Sequence, residues 1–162
     1  MRVMPTGSEP RDFAWVIQDR LATSSRVGGQ GIQHRRVRRE QEISWLVEAG
    51  FTTVVSLLPG NQNVRSYERA GIEVHLAPVD SDHEEAAVEH AFEILAKALE
   101  DPDCKVLVHR DFVDDTVGGI LAGFVVFAGL VDDPRVAAMV IQEIIGRPLG
   151  PSARALIPAA GV

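Results

Sequence analysis

A single cysteine, Cys104, stands in 162 residues, so neither an intrachain disulfide framework nor a cysteine-rich zinc site can form, and the chain suits a reducing cytosol. Basic residues are in the minority. Sixteen Lys and Arg against 23 Asp and Glu give a net charge of −7, a field that disfavours non-specific nucleic acid or anionic membrane binding. Residues 1–10 carry no apolar run of the kind a secretory signal needs. The longest apolar stretch, residues 117–131, contains four glycines and falls short of the roughly 20 residues that span a bilayer, so it reads as a buried core helix. What is present is globular: 46% hydrophobic and 24% charged residues with a mean hydropathy of +0.05 exclude a disordered adaptor.

Patterning divides the chain into strands and helices. Residues 13–17 and 21–22 read as a short strand pair, followed by a glycine-rich loop at 26–31 that faces solvent or a site. Ile43, Leu46 and Val47 recur at helical spacing behind the charged residues 38–42, and Gly50 closes that helix. Residues 51–58, dense in β-branched side chains and ended by Pro59-Gly60, read as a buried strand. A helical turn at 67–70 and a strand at 72–76 come next. Residues 84–100 set Val88, Phe92, Leu95, Ala96 and Leu99 on one helical face, with Ser81 or Asp82 as the cap. Residues 105–108 are a short apolar strand, and 109–116 a polar loop leading into the helix at Val117. Pro134 opens a last amphipathic helix that Gly146 ends. This alternation predicts one α/β domain over residues 1–162, three-layered, with a central, mostly parallel sheet flanked by helices and any site at the carboxyl ends of the strands. Residues 1–12 are expected to be a flexible N-terminus, and 151–162 a tail or short helix.

A strand Val106-Leu107-Val108-His109, an eight-residue loop and a helix form the frame around a phosphatase signature, H-C-x5-R-[ST]-G. With Arg20-Leu21-Ala22-Thr23-Ser24, residues 46–57, Ala70-Gly71-Ile72, residues 75–80, Lys105 and Gly118 in the same order, the chain resembles the cysteine-dependent tyrosine and dual-specificity phosphatases in their compact bacterial form, over about residues 13–150. The resemblance implies that fold, a thiolate nucleophile cradled by backbone amides and an arginine, and an aspartic acid that protonates the leaving oxygen. His109 keeps the histidine before the nucleophile, and Asp80 falls where the general acid sits. The nucleophile position, however, holds Arg110, the internal glycine is Val113, the phosphate-binding arginine is Thr116, and the hydroxyl residue after it is Val117. Cys104 cannot substitute, because it precedes the strand and lies roughly 12 to 15 Å away at about 3.3 Å per residue.

Asp111, Asp114 and Asp115 against Arg110 present a phosphate dianion with a net negative wall. At about 4 Å and an effective dielectric near 20, each uncompensated like-charge contact costs on the order of 4 kcal/mol, against about 0.3 to 1 from a helix dipole. The expectation is therefore a catalytically inactive module, not a cysteine-dependent phosphatase, that binds or regulates through the remodelled loop 109–118. Its pocket would comprise Asp80, Asp82, His109, Arg110, Asp111, Asp114, Asp115 and Thr116. Arg110 would act as a plug paired with Asp80, Asp114 or Asp115 in a closed cleft. The alternative is an enzyme repurposed for a non-phosphatase reaction, in which Asp80, His109 and Asp114 converge on an open cleft and Arg110 holds an anionic substrate group.

Asp80, Asp82 and His83 with the loop aspartates are rich in oxygen, yet no EF-hand or His-x-x-x-His spacing is present, so neither metal nor cofactor is expected. The basic run bearing Arg35, Arg36, Arg38 and Arg39 reads as a solvated surface paired with Glu40 and Glu42, or as contact for a protein partner. No aromatics interleave with it, so no specific nucleic acid is expected. A protein partner or small-molecule ligand, no membrane and a cytoplasmic setting complete the expectation.

Overall fold

The structure is a computed structural model that describes residues 7–60 and 63–159. Five short strands form one sheet in the order β1-β2-β5-β3-β4: Ala14–Ile17, Leu21–Ser24, Thr53–Ser56, Glu73–Leu76 and Val106–His109 in chain order. β1 and β2 pair antiparallel, and the three remaining pairings are parallel. Between and after them run α1 (Arg36–Glu48), α2 (Val64–Arg69), α3 (Glu85–Glu100), α4 (Asp115–Phe127), α5 (Pro134–Ile145) and α6 (Pro151–Arg154), with a single 3-10 turn at Gly31–Gln33.

Side chains alternate across the parallel strands, as a period of two demands. Leu21, Val55, Val106 and Val108 face α3, α4 and α5; Ala22, Val54 and Leu107 face α1 and α2. Helices on both faces make the three layers expected. Helix α4 is buried without interruption from Thr116 to Val125, which is why its sequence shows no polar face. Among the described residues no helix is long and apolar enough to cross a membrane.

Several boundaries move for physical reasons. α1 starts at Arg36 rather than behind Glu42, so the basic run lies inside the helix. α3 has Glu84 at its N-cap position with no side-chain cap, so neither Ser81 nor Asp82 serves. α4 starts two residues before Val117 because Asp114 caps it. Of the N-terminal segment, residues 1–6 lie outside the described residues. The Ser8 backbone N donates to Gln41 and the Ser25 backbone N to the Arg11 carbonyl, at 3.1 and 2.9 Å. The tail contributes the short α6, and residues 160–162 lie outside the described residues.

Candidate active site

The carboxyl ends of β2, β5 and β3 are stitched together by their loops: Arg26 N donates to the Asp111 carbonyl, Leu57 N to His109, and Ala77 N to Ser56. Loop residues 110–114 therefore sit at the middle of the sheet edge, beside the glycine-rich loop that follows β2. Gly28 and Gly29 adopt φ of +80 and +90. A Cβ at Gly29 would lie 2.8 Å from the Gln33 carbonyl oxygen and 3.0 Å from Arg38 Nη1. Only glycine lets the backbone fold back that tightly.

The loop aspartates do not form a wall, because each meets its own guanidinium. Asp111 accepts from Arg26 Nη1 at 3.0 Å, Asp114 lies 3.6 Å from Arg110 Nε, and Asp115 lies 3.7 Å from Arg147 Nη2. The like-charge penalty expected from the sequence is thus offset locally. Asp114 also accepts from the Val117 backbone N at 2.9 Å, and Asp115 from Gly150 N at 3.2 Å. The Val117 amide in the first turn of α4 consequently already holds a carboxylate of the chain itself.

Arg110, whose side chain is 18% exposed, donates to the Val79 carbonyl besides facing Asp114. Of the three carboxylates expected to pair with it, Asp114 does so. The Asp80 and Asp82 side chains are exposed and make no ion pair or hydrogen bond to Arg110 or His109 among the described residues. Thr116 Oγ1 lies 2.9 Å from His83 Nε2. No three His, Cys, Asp or Glu side chains gather around a common point among the described residues.

His109 ends β5 fully buried, pointing to the α1 and α2 face with the odd-numbered register of Leu107. Its Nδ1 donates to the Arg110 carbonyl at 3.0 Å, and Nε2 has no partner among the described residues. Burial pushes its pKa down to about 4; the Arg110 carbonyl opposes this, Arg26 adds to it, and Asp111 opposes it. The ring is neutral at physiological pH. Tyr67 is buried on the same face, its hydroxyl without a hydrogen-bond partner among the described residues, and burial, helped by Glu42, pushes the phenol up. Out of water's reach, His109 is placed to hold structure rather than to exchange protons with a substrate.

The sequence pointed to Asp111, to the loop 26–31 and to Arg38 as surface charge, but not to Arg11, Asp12 or Ser25 beside them. Arg11, Asp12, Ser25, Arg26, Arg38 and Asp111 line one cavity of about 360 Å³ with Gly29, Gln30, Gln33 and Phe112. Arg38 is half-buried and bonds Glu42 at 2.5 Å, and Glu42, 2% exposed, also accepts from Gly28 N at 3.0 Å. Arg35 and Arg36 are exposed and Arg39 half-buried. The helical register of the run, in which only some arginines can face outward, was the available signal. Cys104 lies before β5, at the end of the sheet opposite Arg110.

No family model and no curated protein matches the chain. Its fold matches solved structures. The core catalytic domain of the PP-IP phosphatase SIW14 from S. cerevisiae, in complex with citrate, is 13% identical over 93% of this chain and 85% of that one, with a TM-score of 0.68. Kinase associated phosphatase, with a serine substituted for its catalytic-site cysteine, is 15% identical over 90% of this chain and 91% of that one, with a TM-score of 0.73. A putative phosphatase from Shewanella putrefaciens is 19% identical over 91% and 89%, with a TM-score of 0.63. The shared architecture is tyrosine and dual-specificity phosphatase-like. Because these neighbours are phosphatases, they overturn the expectation of a catalytically inactive binding or regulatory module that is not an enzyme. The alternative of a non-phosphatase reaction at Asp80, His109 and Asp114 falls with it, since His109 is fully buried and the Asp80 side chain makes no hydrogen bond to either partner among the described residues.

Proposed function

We propose that the chain is a phosphatase that hydrolyses a phosphate monoester without a thiol, at a loop that has departed from the cysteine signature. The observation that carries the reading is the Arg26–Asp111 pair, which brings a guanidinium and a carboxylate to 3.0 Å on the wall of a 360 Å³ cavity at the carboxyl edge of the sheet. Fold likeness to phosphatases supports it, and so does the local pairing of every loop aspartate, which removes the electrostatic objection to a phosphoryl group.

In this reading Arg26 receives two phosphoryl oxygens on its fork. Asp111, whose side chain is 36% exposed, turns its carboxylate to a water and takes the proton as the water oxygen attacks phosphorus. The bond from phosphorus to the leaving oxygen breaks, and the proton reaches that oxygen to give an alcohol and inorganic phosphate. Developing charge on the transferred group is met by arginines already fixed in place. The single cysteine supports a cytoplasmic setting for such an enzyme. Its partner is a small-molecule phosphate ester.

The test is turnover of para-nitrophenyl phosphate by the native chain and by Asp111→Asn. A native rate well above a buffer blank that falls about a hundredfold in Asp111→Asn is expected for loss of a general base. A native rate equal to the blank, or a variant as active as the native chain, overturns the proposal.

A further inference from the structure

Three guanidiniums are more than one phosphoryl group needs. Arg11 comes from the segment before β1, Arg26 from the loop after β2 and Arg38 from α1, and all three line the same cavity. We propose that Arg11 and Arg38 form a second anion subsite beside the Arg26–Asp111 pair, so that the substrate is a small molecule carrying two phosphate groups. This rests on the phosphatase reading of that pair and names its substrate class.

Each part of the subsite is built. The Arg38 Nε is anchored on Glu42, which is itself 2% exposed and held by the Gly28 amide. That anchor aims the rest of the guanidinium, and its Nη1 lies against Gly29 in the cavity wall. Preorganised in this way, the fork loses little freedom on meeting an anion. Arg11 has its backbone fixed by the bond from Ser25 N at 2.9 Å, while its side chain is exposed and has no ion pair among the described residues.

The acids facing the cavity are Asp12, which accepts from the Ser25 hydroxyl at 2.7 Å, and Asp111, held by Arg26. With Glu42 behind Arg38 counted, three arginines meet three acids, so the site is neutral in a chain of −7, and Arg11 is a guanidinium there with no ion pair among the described residues. A neutral site with an exposed guanidinium admits anions that a surface of net negative charge otherwise repels. Ser25, Gln30 and Gln33 add neutral polar groups, and Phe112, 56% exposed, adds an apolar surface for a carbon skeleton. A volume of 360 Å³ suits a molecule of a few carbons with two phosphates and not a protein segment.

Titration calorimetry of the full chain with inorganic phosphate and inorganic pyrophosphate tests the subsite without any turnover. The native chain is expected to bind pyrophosphate about ten times more tightly than phosphate, one added charge-assisted contact being a factor of that order. In Arg11→Ala the preference is expected to shrink below about threefold while phosphate affinity stays within about twofold, Arg26 being untouched. Arg11→Gln repeats the measurement with the side-chain length kept. Equal native affinities for the two anions, or a preference unchanged in both variants, overturns the subsite. A native preference for pyrophosphate that is lost in Arg11→Ala, together with an aryl phosphate rate equal to the blank, upholds the subsite and strikes down the hydrolytic reading alone.

Discussion

Arg26 and Asp111, separated by 85 positions, meet twice: backbone to backbone at 3.1 Å and guanidinium to carboxylate at 3.0 Å. The first bond fixes the loop after β2 against the loop after β5, and the second sets the charges that line the cavity. The backbone bond does not depend on the side chain. Arg26→Lys should therefore keep the fold and the positive charge but lose the planar fork. The expected result is a fall of about tenfold in kcat/KM for an aryl phosphate, with a melting temperature within about 2 °C of the native value. A fall in melting temperature without a change in kcat/KM would mean that the pair is structural only.

The buried His109 makes stability depend on pH in a defined window. Its folded pKa is about 4, below the ordinary value of 6.5, because burial disfavours the imidazolium. As pH falls, the unfolded chain takes up the proton first. The stabilisation is full above pH 6.5 and is lost progressively as pH falls towards 4. Over that interval the loss amounts to about 3 kcal/mol. Urea unfolding at pH 7.5 and 4.5 should show this difference in the native chain and a smaller one in His109→Gln. An equal difference in both would assign the acid sensitivity to other groups.

The Asp114 cap explains why α4 begins where it does. Its carboxylate takes the Val117 amide at 2.9 Å and also faces Arg110 at 3.6 Å. Asp114→Ala removes both and is expected to cost about 1 to 2 kcal/mol. Asp114→Ser keeps a capping oxygen but not the charge, so it should recover most of the loss, the half-exposed ion pair adding little. If Ser recovers nothing in urea unfolding, Arg110 rather than the cap is the main partner.

The alternation of strands and helices was legible because β3 and β5 are short, buried and rich in β-branched residues, and because Pro134 opens α5 and Gly146, with its left-handed φ, closes it. The loop was legible as a place but not as an electrostatic environment. Adding Asp111, Asp114 and Asp115 along the chain gives a negative wall, whereas Arg26 and Arg147 reach two of them from distant positions. Arg38 and Glu42 read as surface charges because their spacing of four fits any face of a helix. Only the packing of α1 on Gly28 turns that pair inward. The same non-locality hid the cavity, whose walls come from the segment before β1, the loop after β2, α1 and the loop after β5.

In the sequence the glycines of α4 counted against a membrane span, with Gly118 also part of the family resemblance, and in the structure Gly119 and Gly123 admit the C-terminal segment. A Cβ at Gly119 would lie 2.8 Å from the Ala153 carbonyl oxygen and 3.0 Å from its Cα, both backbone atoms of α6. At Gly123 it would lie 2.5 Å from Phe92 Cζ and 2.8 Å from the Leu156 carbonyl oxygen. A flexible side chain can swing aside, but α6 can yield only by moving as a unit. Gly119→Ala is thus expected to lose about 1 to 2 kcal/mol, overpacking outweighing the gain of about 1 kcal/mol in helix propensity. Because α6 packs against α4 and not against the Arg26–Asp111 cavity, aryl phosphate turnover per folded molecule should be unchanged. Chemical denaturation and an activity assay on the same sample separate the two effects, and a stabilised Gly119→Ala would show that α6 does not pack on α4 as described.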